Sequence, residues 1–231
     1  MKNNKIKEII KDKRFKSIAF FTFYIVFFAI IISMLRNTTT NKSTTTSSSD
    51  ALYSLNSIKQ INYHFKYTIN NNIFYEGDRN KDKSMFTKTE NNNIESYYSY
   101  LNLFLKKDND TWVKATNPIY YSEFTNIDNI SSVLKSASYE AKTLYKDDTK
   151  SYTYLISTTT LFKIIDNKDI DIEDIANKIT ITTDKYNDVF KIEYDLTPYY
   201  QYKMKKIDNL LLKLEYSDFN NIKEIDTPKV G

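Results

Sequence analysis

One histidine and a run of acids are the residues whose chemistry is easiest to name. His64 is the only histidine of the chain, and it alternates with apolar residues in a strand-like pattern, so it is either a general base or a solvent-facing strand residue. With no cysteine in the chain and no nucleophile motif near His64, the solvent-facing interpretation is favoured. The acids fall in one stretch: Asp166, Asp169, Asp171, Glu173 and Asp174.

That acidic run has two interpretations. Ca²⁺ takes carboxylate oxygens, but the run lacks the glycine and the closing glutamate of an EF-hand loop. A solvated loop that leads into a helix is favoured, because acids suit helix N-termini. The spacing of the acidic residues also identifies no two carboxylates as the catalytic pair of a glycosidase. The sequence therefore predicts no catalytic residue, no metal site and no cofactor.

The amino-acid composition excludes several further kinds of functional site. With no cysteine there is no disulfide, no thiolate zinc site and no lipidated cysteine. The two glycines, Gly77 and Gly231, are too few for a phosphate-cradling loop or a nucleophile elbow. The formal net charge of +4 has its source in the first 16 residues, which carry +5, and in Arg36, while the chain from Asn37 onward is slightly acidic at −2. We therefore expect no nucleic-acid partner.

Aromatic residues are abundant in this chain, which has 20 tyrosines and 14 phenylalanines. Tyrosine and tryptophan suit a ligand pocket, because each combines an apolar body with a polar group. The alternative is an ordinary sheet core in a compositionally biased sequence. The predicted cavity-lining residues are Tyr63, Phe65, Tyr67, Tyr98, Tyr100, Phe104, Trp112, Tyr194, Leu214 and Tyr216.

The N-terminal part predicts a membrane anchor. After a basic tail (1–16), the stretch from Ser17 to Leu35 holds no charge, and as a helix it spans about 28 Å, close to a bilayer core. The alternative is a cleaved signal peptide, which would be shorter and end in small residues. The flanking basic residues predict a transmembrane helix (17–36) with its N-terminus in the cytoplasm. A Ser/Thr-rich stalk (37–49) follows.

Residues 50–231 predict one extracytoplasmic α+β domain. Short polar turns, among them Asn70-Asn71-Asn72 and Asn91-Asn92-Asn93, separate strand-like segments from Ile61 to Ala115, and Ile94–Leu105 is predicted as one of these strands. Strands resume after a helical segment, Ile127–Ala137. Thr158–Ile165 fits either a short helix or a strand, and the helix is favoured. We expect about eight to ten antiparallel strands in a curved sheet, an unclosed β-barrel, with two or three helices filling its concave side.

The order of these segments, and a few residues in them, resemble a known group of proteins. A short helix and the strand Ile61–Ile69 precede the returning strand with Tyr75-Glu76-Gly77, and Trp112 follows a charged turn. The chain closes on Leu214-Glu215-Tyr216-Ser217-Asp218-Phe219-Asn220 and Pro228. This layout resembles LolA/LolB-like lipoprotein carriers and LppX-type lipoproteins, with a tail like that of Gram-positive members. The resemblance implies an unclosed barrel with a helical lid, an apolar cavity and no catalysis.

The expected function combines this resemblance with the anchor. Members of that group usually hang from a lipidated cysteine, which this chain lacks, so the transmembrane helix takes its place. We expect a single-pass plasma-membrane protein whose extracellular domain binds a lipid, another hydrophobic ligand or a lipoprotein segment without catalysis. The alternative is a protein-interaction or scaffold module of the cell envelope. An envelope hydrolase is the third class, which would need acids or His64 converging in a polar cleft.

Overall fold

The computed structural model describes residues 47–115, 121–204 and 207–228. The predicted basic tail, the transmembrane helix and most of the stalk lie outside the described residues. Within the described residues, no helix has both the length and the apolar character needed to cross a bilayer. The helices and strands below belong to one compact unit, Ser43–Gly231.

The described strands form a single open, curved antiparallel sheet of 11 strands. Its order is β6-β5-β4-β3-β2-β1-β11-β10-β9-β8-β7, so the first and last of the described strands pair at the centre. The strands are β1 Tyr63–Ile69, β2 Asn72–Asn80, β3 Lys83–Glu90, β4 Asn93–Tyr100, β5 Asn102–Lys106, β6 Trp112–Lys114, β7 Ser138–Leu144, β8 Lys150–Ser157, β9 Ala176–Thr183, β10 Val189–Asp195 and β11 Leu211–Ser217.

Five helices accompany the sheet in the described part of the chain. They are α1 Ser47–Ile58, α2 Ser122–Thr125, α3 Ile127–Ser136, α4 Thr158–Ile165 and α5 Thr197–Met204. Side-chain caps fix two of them: Asn126 accepts hydrogen bonds from the backbone N–H groups of Asp128 and Asn129, and Ser157 accepts one from that of Thr160. The predicted starts of α3 and α4 are therefore confirmed.

Asparagine pairs build two of the hairpins. Asn70 and Asn71 join β1 to β2 with φ of 48° and 67°, and Asn91 and Asn92 join β3 to β4 with φ of 50° and 63°. Asparagine tolerates this left-handed region, which two-residue hairpin turns require. The turns predicted at these asparagines are confirmed.

Two details of the prediction need correction. The segment from Ile94 to Leu105 is two strands, because the chain reverses at Leu101 with a φ of 54°. Helix α5 was not predicted, because Tyr199 and Tyr200 are adjacent and both buried, which follows no amphipathic period. The sheet thus has more strands, and the domain more helices, than expected.

Gly77 lies where two strands approach each other closely. A Cβ atom at this position of β2 would lie 2.3 Å from the carbonyl oxygen of Met85 on β3. Only glycine permits that approach, and a glycine inside a strand often marks a tight bend.

The two faces of the sheet have different coverings. We call the face that packs against the helices the inner face, and the opposite one the outer face. The inner face and the helices share one buried cluster that includes Leu55, Ile130, Ile181 and Ile192. The helices make their closest strand contacts with β8, β9 and β10.

Candidate functional site

Six of the predicted cavity residues lie together on the inner face. They are Tyr63, Phe65, Tyr67, Tyr194, Leu214 and Tyr216. On the central strand pair Phe65 stands opposite Tyr216, and Tyr67 stands opposite Leu214, so their side chains share one side of the sheet. The ring centroids of Tyr63 and Tyr216 are 5.2 Å apart in an edge-to-face contact.

These six residues form part of the packed core. The ring of Phe124, from α2, lies 5.7 Å from that of Tyr194. Leu214 is fully buried, and Tyr194 is 2% exposed. The apolar surface that was predicted to line a cavity is thus covered, in the described part of the chain, by the protein's own side chains.

Tyrosine hydroxyls make this core unusual. Burial raises the pKa of Tyr67, Tyr194 and Tyr216 above the ordinary tyrosine value, because an ionised hydroxyl in the core would lose its hydration. The buried hydroxyls of Tyr154 and Tyr194 have no hydrogen-bond partner among the described residues. Such groups are rare in folded proteins, because a buried donor normally has an acceptor.

The other four predicted residues lie on the outer face. They are Tyr98, Tyr100, Phe104 and Trp112. Strand register decides this: Phe65 pairs with Gly77, Gly77 with Phe86 and Phe86 with Tyr97, so Tyr98, the next residue, points to the opposite side. The prediction that all ten residues line one cavity therefore does not match their placement. Alternation within a strand shows which of its own residues share a face. It does not show which face of a distant strand lies on the same side of the sheet.

The outer four residues pack around Ile225 from the C-terminal segment. We call residues 218–228 the strap, and the four aromatic residues with Asn80 and Lys83 the outer groove. Asn80 donates its amide hydrogens to the carbonyls of Ile222 and Lys223 at 3.1 and 3.0 Å. The Lys83 ammonium donates to the carbonyl of Ile225 at 3.2 Å. The outer groove thus has an occupant from its own chain.

An open pocket of about 910 Å³ lies at one end of the sheet, and we call it the end pocket. Two hairpin turns meet there because alternate turns of a meander fall at the same end. The end pocket is lined by Ile69, Asn70, Asn71, Asn72, Phe74, Thr89, Glu90, Asn91, Asn92, Tyr121 and Met204.

None of the predicted cavity residues lines the end pocket. Its sequence signal was the pair of asparagine turns two strands apart, which places both turns at one end of the sheet. Phe74 and Tyr121 connect its floor to the core: their ring centroids are 6.4 Å apart, and that of Tyr121 is 5.5 Å from Tyr200.

A smaller pocket of about 290 Å³ lies across β9, β10, β11 and β1. Charged and hydroxyl side chains dominate its lining, among them Lys178, Thr180, Glu193 and Lys213. Tyr194 is the one predicted cavity residue on that lining. Its polar character distinguishes this pocket from the predicted apolar cavity.

Comparisons with known proteins show a likeness in structure but none to a family model or a curated protein. No protein-family model matches the chain, and no curated protein matches it. The chain is similar in structure to LprF from Mycobacterium bovis, with a TM-score of 0.47 and 11% sequence identity. The match covers 78% of this chain and 96% of that one.

His64 lies on the outer face between two acids. Its Nδ1 atom is 2.8 Å from an Asp78 carboxylate oxygen, and its Nε2 atom is 3.5 Å from one of Glu76. All three side chains are partly exposed; Asp78 of β2 faces His64 of β1 directly, and Glu76 is its diagonal neighbour on β2. Their arrangement holds an imidazole between carboxylates on an open sheet surface.

The acidic run does not converge on one point. Asp166 accepts hydrogen bonds from the Tyr199 hydroxyl and the Lys203 ammonium, at 2.6 and 2.9 Å. Asp174 accepts hydrogen bonds from the backbone N–H and the hydroxyl of Thr159. Within the described residues, no group of three acidic or histidine side chains is placed to hold a metal ion.

Proposed function

We propose that this chain is a membrane-anchored, non-catalytic binding protein that holds an amphipathic ligand in its end pocket. The observation that carries the proposal is the composition of that pocket, which combines an apolar floor with a rim of amide side chains. The anchor rests on the uncharged stretch before Arg36.

Size and chemistry support a ligand of this kind. Pockets for small molecules commonly measure about 300–1,000 Å³, and the end pocket falls in that range. Phe74, Tyr121 and Met204 offer apolar contact, and methionine adapts its shape to the group that it meets. Asn70 and Asn92 can both donate and accept hydrogen bonds, which suits a polar head group.

The rim favours a head group without a strong negative charge. Glu90 contributes a carboxylate to the pocket, and its partner Lys88 lies 2.6 Å away. A lipid or fatty-acid derivative with a hydrogen-bonding head therefore fits better than a multiply charged anion.

Photo-crosslinking tests this proposal at the site itself. The full chain is placed in phospholipid nanodiscs with an uncharged monoacylglycerol probe whose acyl chain carries a diazirine, and labelled peptides are mapped by mass spectrometry. We expect labels on Met204 and its pocket neighbours. Labels found only outside the end pocket would contradict the proposal.

A matched pair of methionines provides the control. Met204 and Met85 are both exposed, but only Met204 lines the end pocket. Met204→Glu places a charge against the apolar floor and should reduce pocket labelling several-fold, whereas Met85→Glu should leave it unchanged. Equal labelling of the two variants would also contradict the proposal.

The second candidate is an interaction module of the cell envelope. Two observations favour it: the inner face is packed with the protein's own side chains, and an aromatic set lies outside the main core. A hydrolase has weaker support, because His64 and the two carboxylates that flank it are all partly exposed on the outer face of the sheet.

A further inference from the structure

The strap is attached to the sheet in two different ways along its length. At its start, Phe219 packs against the main core, and the backbone N–H of Asn220 donates to the carbonyl of Asn62 at 2.7 Å. From Ile222 onward it forms no strand, and side chains of the sheet reach its carbonyls instead. The later part is thus fastened separately from the earlier part.

Ile225 is the buried anchor of that later part. It is 7% exposed and packs against Tyr98 and Trp112, while its neighbours Glu224 and Asp226 are exposed. Ile225 is the one buried side chain of the described strap. Because a single buried side chain anchors the later part, another segment with a similar side chain can exchange with it.

The outer groove makes hydrogen bonds to features that many peptides share. Asn80 and Lys83 donate to backbone carbonyls, which every extended peptide offers. Two contacts depend on side chains: the aromatic residues hold Ile225, and the Tyr98 hydroxyl lies 3.3 Å from the Thr227 hydroxyl. The groove therefore selects a branched aliphatic residue with a hydroxyl residue two positions later.

We propose that the outer groove is a peptide-binding site, and that the strap is its intramolecular occupant in the free protein. The partner is an extended polypeptide segment with an aliphatic residue followed two positions later by serine or threonine. Such a segment replaces the strap with equivalent contacts, as in other modes of recognition that combine backbone hydrogen bonds with one side-chain pocket. This site is separate from the end pocket.

Trp112 reports on the groove directly, because it is the single tryptophan of the chain. In the full chain, Ile225→Asp should release the strap, shift the Trp112 emission to longer wavelength and increase its quenching by acrylamide. Ile94→Asp is the matched control, since Ile94 is 67% exposed on β4 and should change neither property.

A synthetic peptide of residues 218–228 then tests binding. Added to the Ile225→Asp protein, it should restore the original Trp112 emission saturably, and the same peptide with Ile225→Asp should not. The wild-type chain should need roughly tenfold or more peptide for the same occupancy, because its strap competes.

Three results would overturn the proposal. The first is an unchanged Trp112 emission in the Ile225→Asp protein. The second is a shifted emission that no concentration of the peptide restores, which would make the strap a purely structural element. The third is concentration-dependent dimerisation of the wild-type chain that Ile225→Asp abolishes, which would place the strap in the groove of a second copy.

A milder variant guards against misfolding of the charged one. Ile225→Ala adds no charge, and circular dichroism checks that the sheet is retained. The peptide should bind this variant more tightly than it binds the wild-type chain. Equal affinity for the two proteins would contradict competition by the strap.

Discussion

At the scale of single residues, buried tyrosine hydroxyls differ in whether they have a partner. The Tyr199 hydroxyl donates to Asp166 at 2.6 Å, whereas the Tyr194 hydroxyl is buried with no partner among the described residues. Removing a hydroxyl from a buried hydrogen bond leaves its acceptor unsatisfied. Removing an unpartnered hydroxyl instead eliminates a desolvation cost.

The two tyrosines therefore give a prediction with an internal control. Tyr194→Phe should leave stability unchanged or raise it by up to about 1 kcal/mol, whereas Tyr199→Phe should lower it by about 1–2 kcal/mol. Urea unfolding followed by circular dichroism measures both. A marked loss of stability in Tyr194→Phe would show that its hydroxyl has a partner, such as a bound water or a ligand.

At the scale of elements, the β4–β5 hairpin is held in a strained conformation. Leu101 forms the turn with a φ of 54° and is 89% exposed, so its side chain stabilises little. For most residues with a Cβ this region costs about 1–2 kcal/mol, whereas glycine, which has none, and asparagine, whose side chain bonds locally to the backbone, adopt it more readily. The turn is determined by the pairing of its flanking strands rather than by its own residue.

Leu101→Asn should accordingly stabilise the protein by about 1 kcal/mol. Asparagine suits this backbone, and little buried apolar surface is lost. The midpoint of urea unfolding measures the gain, and Leu101→Val, whose branched Cβ is poorly suited to positive φ, should shift the midpoint in the other direction. A lower urea midpoint for Leu101→Asn than for the wild-type chain would contradict the backbone strain inferred at Leu101.

The contact between helices α4 and α5 includes a carboxylate, Asp166, whose protonation affects stability. Burial raises the pKa of Asp166, but the hydrogen bonds from Tyr199 and Lys203 and the Lys203 charge outweigh it, so the pKa lies below the usual value. An aspartate whose pKa is lower in the folded state stabilises the fold above its unfolded pKa of about 4. That stabilisation is lost as the pH falls through the folded value.

Asp166→Asn should therefore cost about 1–2 kcal/mol at pH 7 and progressively less below about pH 4. Unfolding in urea at several pH values measures the difference from wild type. Asp82→Asn, at an exposed turn position, serves as the control and should show little change. A loss of stability in Asp166→Asn that is the same at pH 3 and pH 7 would contradict the lowered pKa of Asp166.

Local sequence signals predicted most of these elements. The asparagine turns and the caps at Asn126 and Ser157 lie within a few residues of the structures that they determine. Leu101 and α5 lacked such signals. The reversal at Leu101 follows from strand pairing, and the adjacent buried Tyr199 and Tyr200 follow from contacts with α2, α4 and each other. Tertiary packing overrides local preference at both places.

The candidate site was harder to predict for the same reason. Alternation within β1 correctly grouped Tyr63, Phe65 and Tyr67 on one side of the sheet. Whether Tyr98 joins them depends on register across three successive hairpins, and a shift by one residue reverses every face. Trp112 was placed with the inner set because the sequence gives no hint that Ile225 returns to cover it.

At the scale of the whole molecule, the first and last described strands, β1 and β11, pair at the centre of the open sheet. β11 lies between β1 and β10, and it joins the six-stranded meander of the N-terminal half to the strands of the C-terminal half. The two halves share no other strand pairing in the described residues. The inner core is therefore complete only when the last strand is in place, whereas the later strap lies outside that arrangement.

Two truncations separate these roles. A chain that ends at Asn221 keeps β11 and Phe219 but loses Ile225, so it should unfold cooperatively with a stability lowered by about 1.5–3 kcal/mol and with Trp112 more exposed. A chain that ends at Asn209 lacks β11 and should show no cooperative transition, because Tyr63, Phe65 and Ile192 lose a neighbouring strand at the centre of the core. Urea titrations followed by circular dichroism distinguish the two. Cooperative unfolding of the shorter chain would mean that each half forms a stable core alone, and failure of the longer chain to fold would make the strap a required part of the sheet.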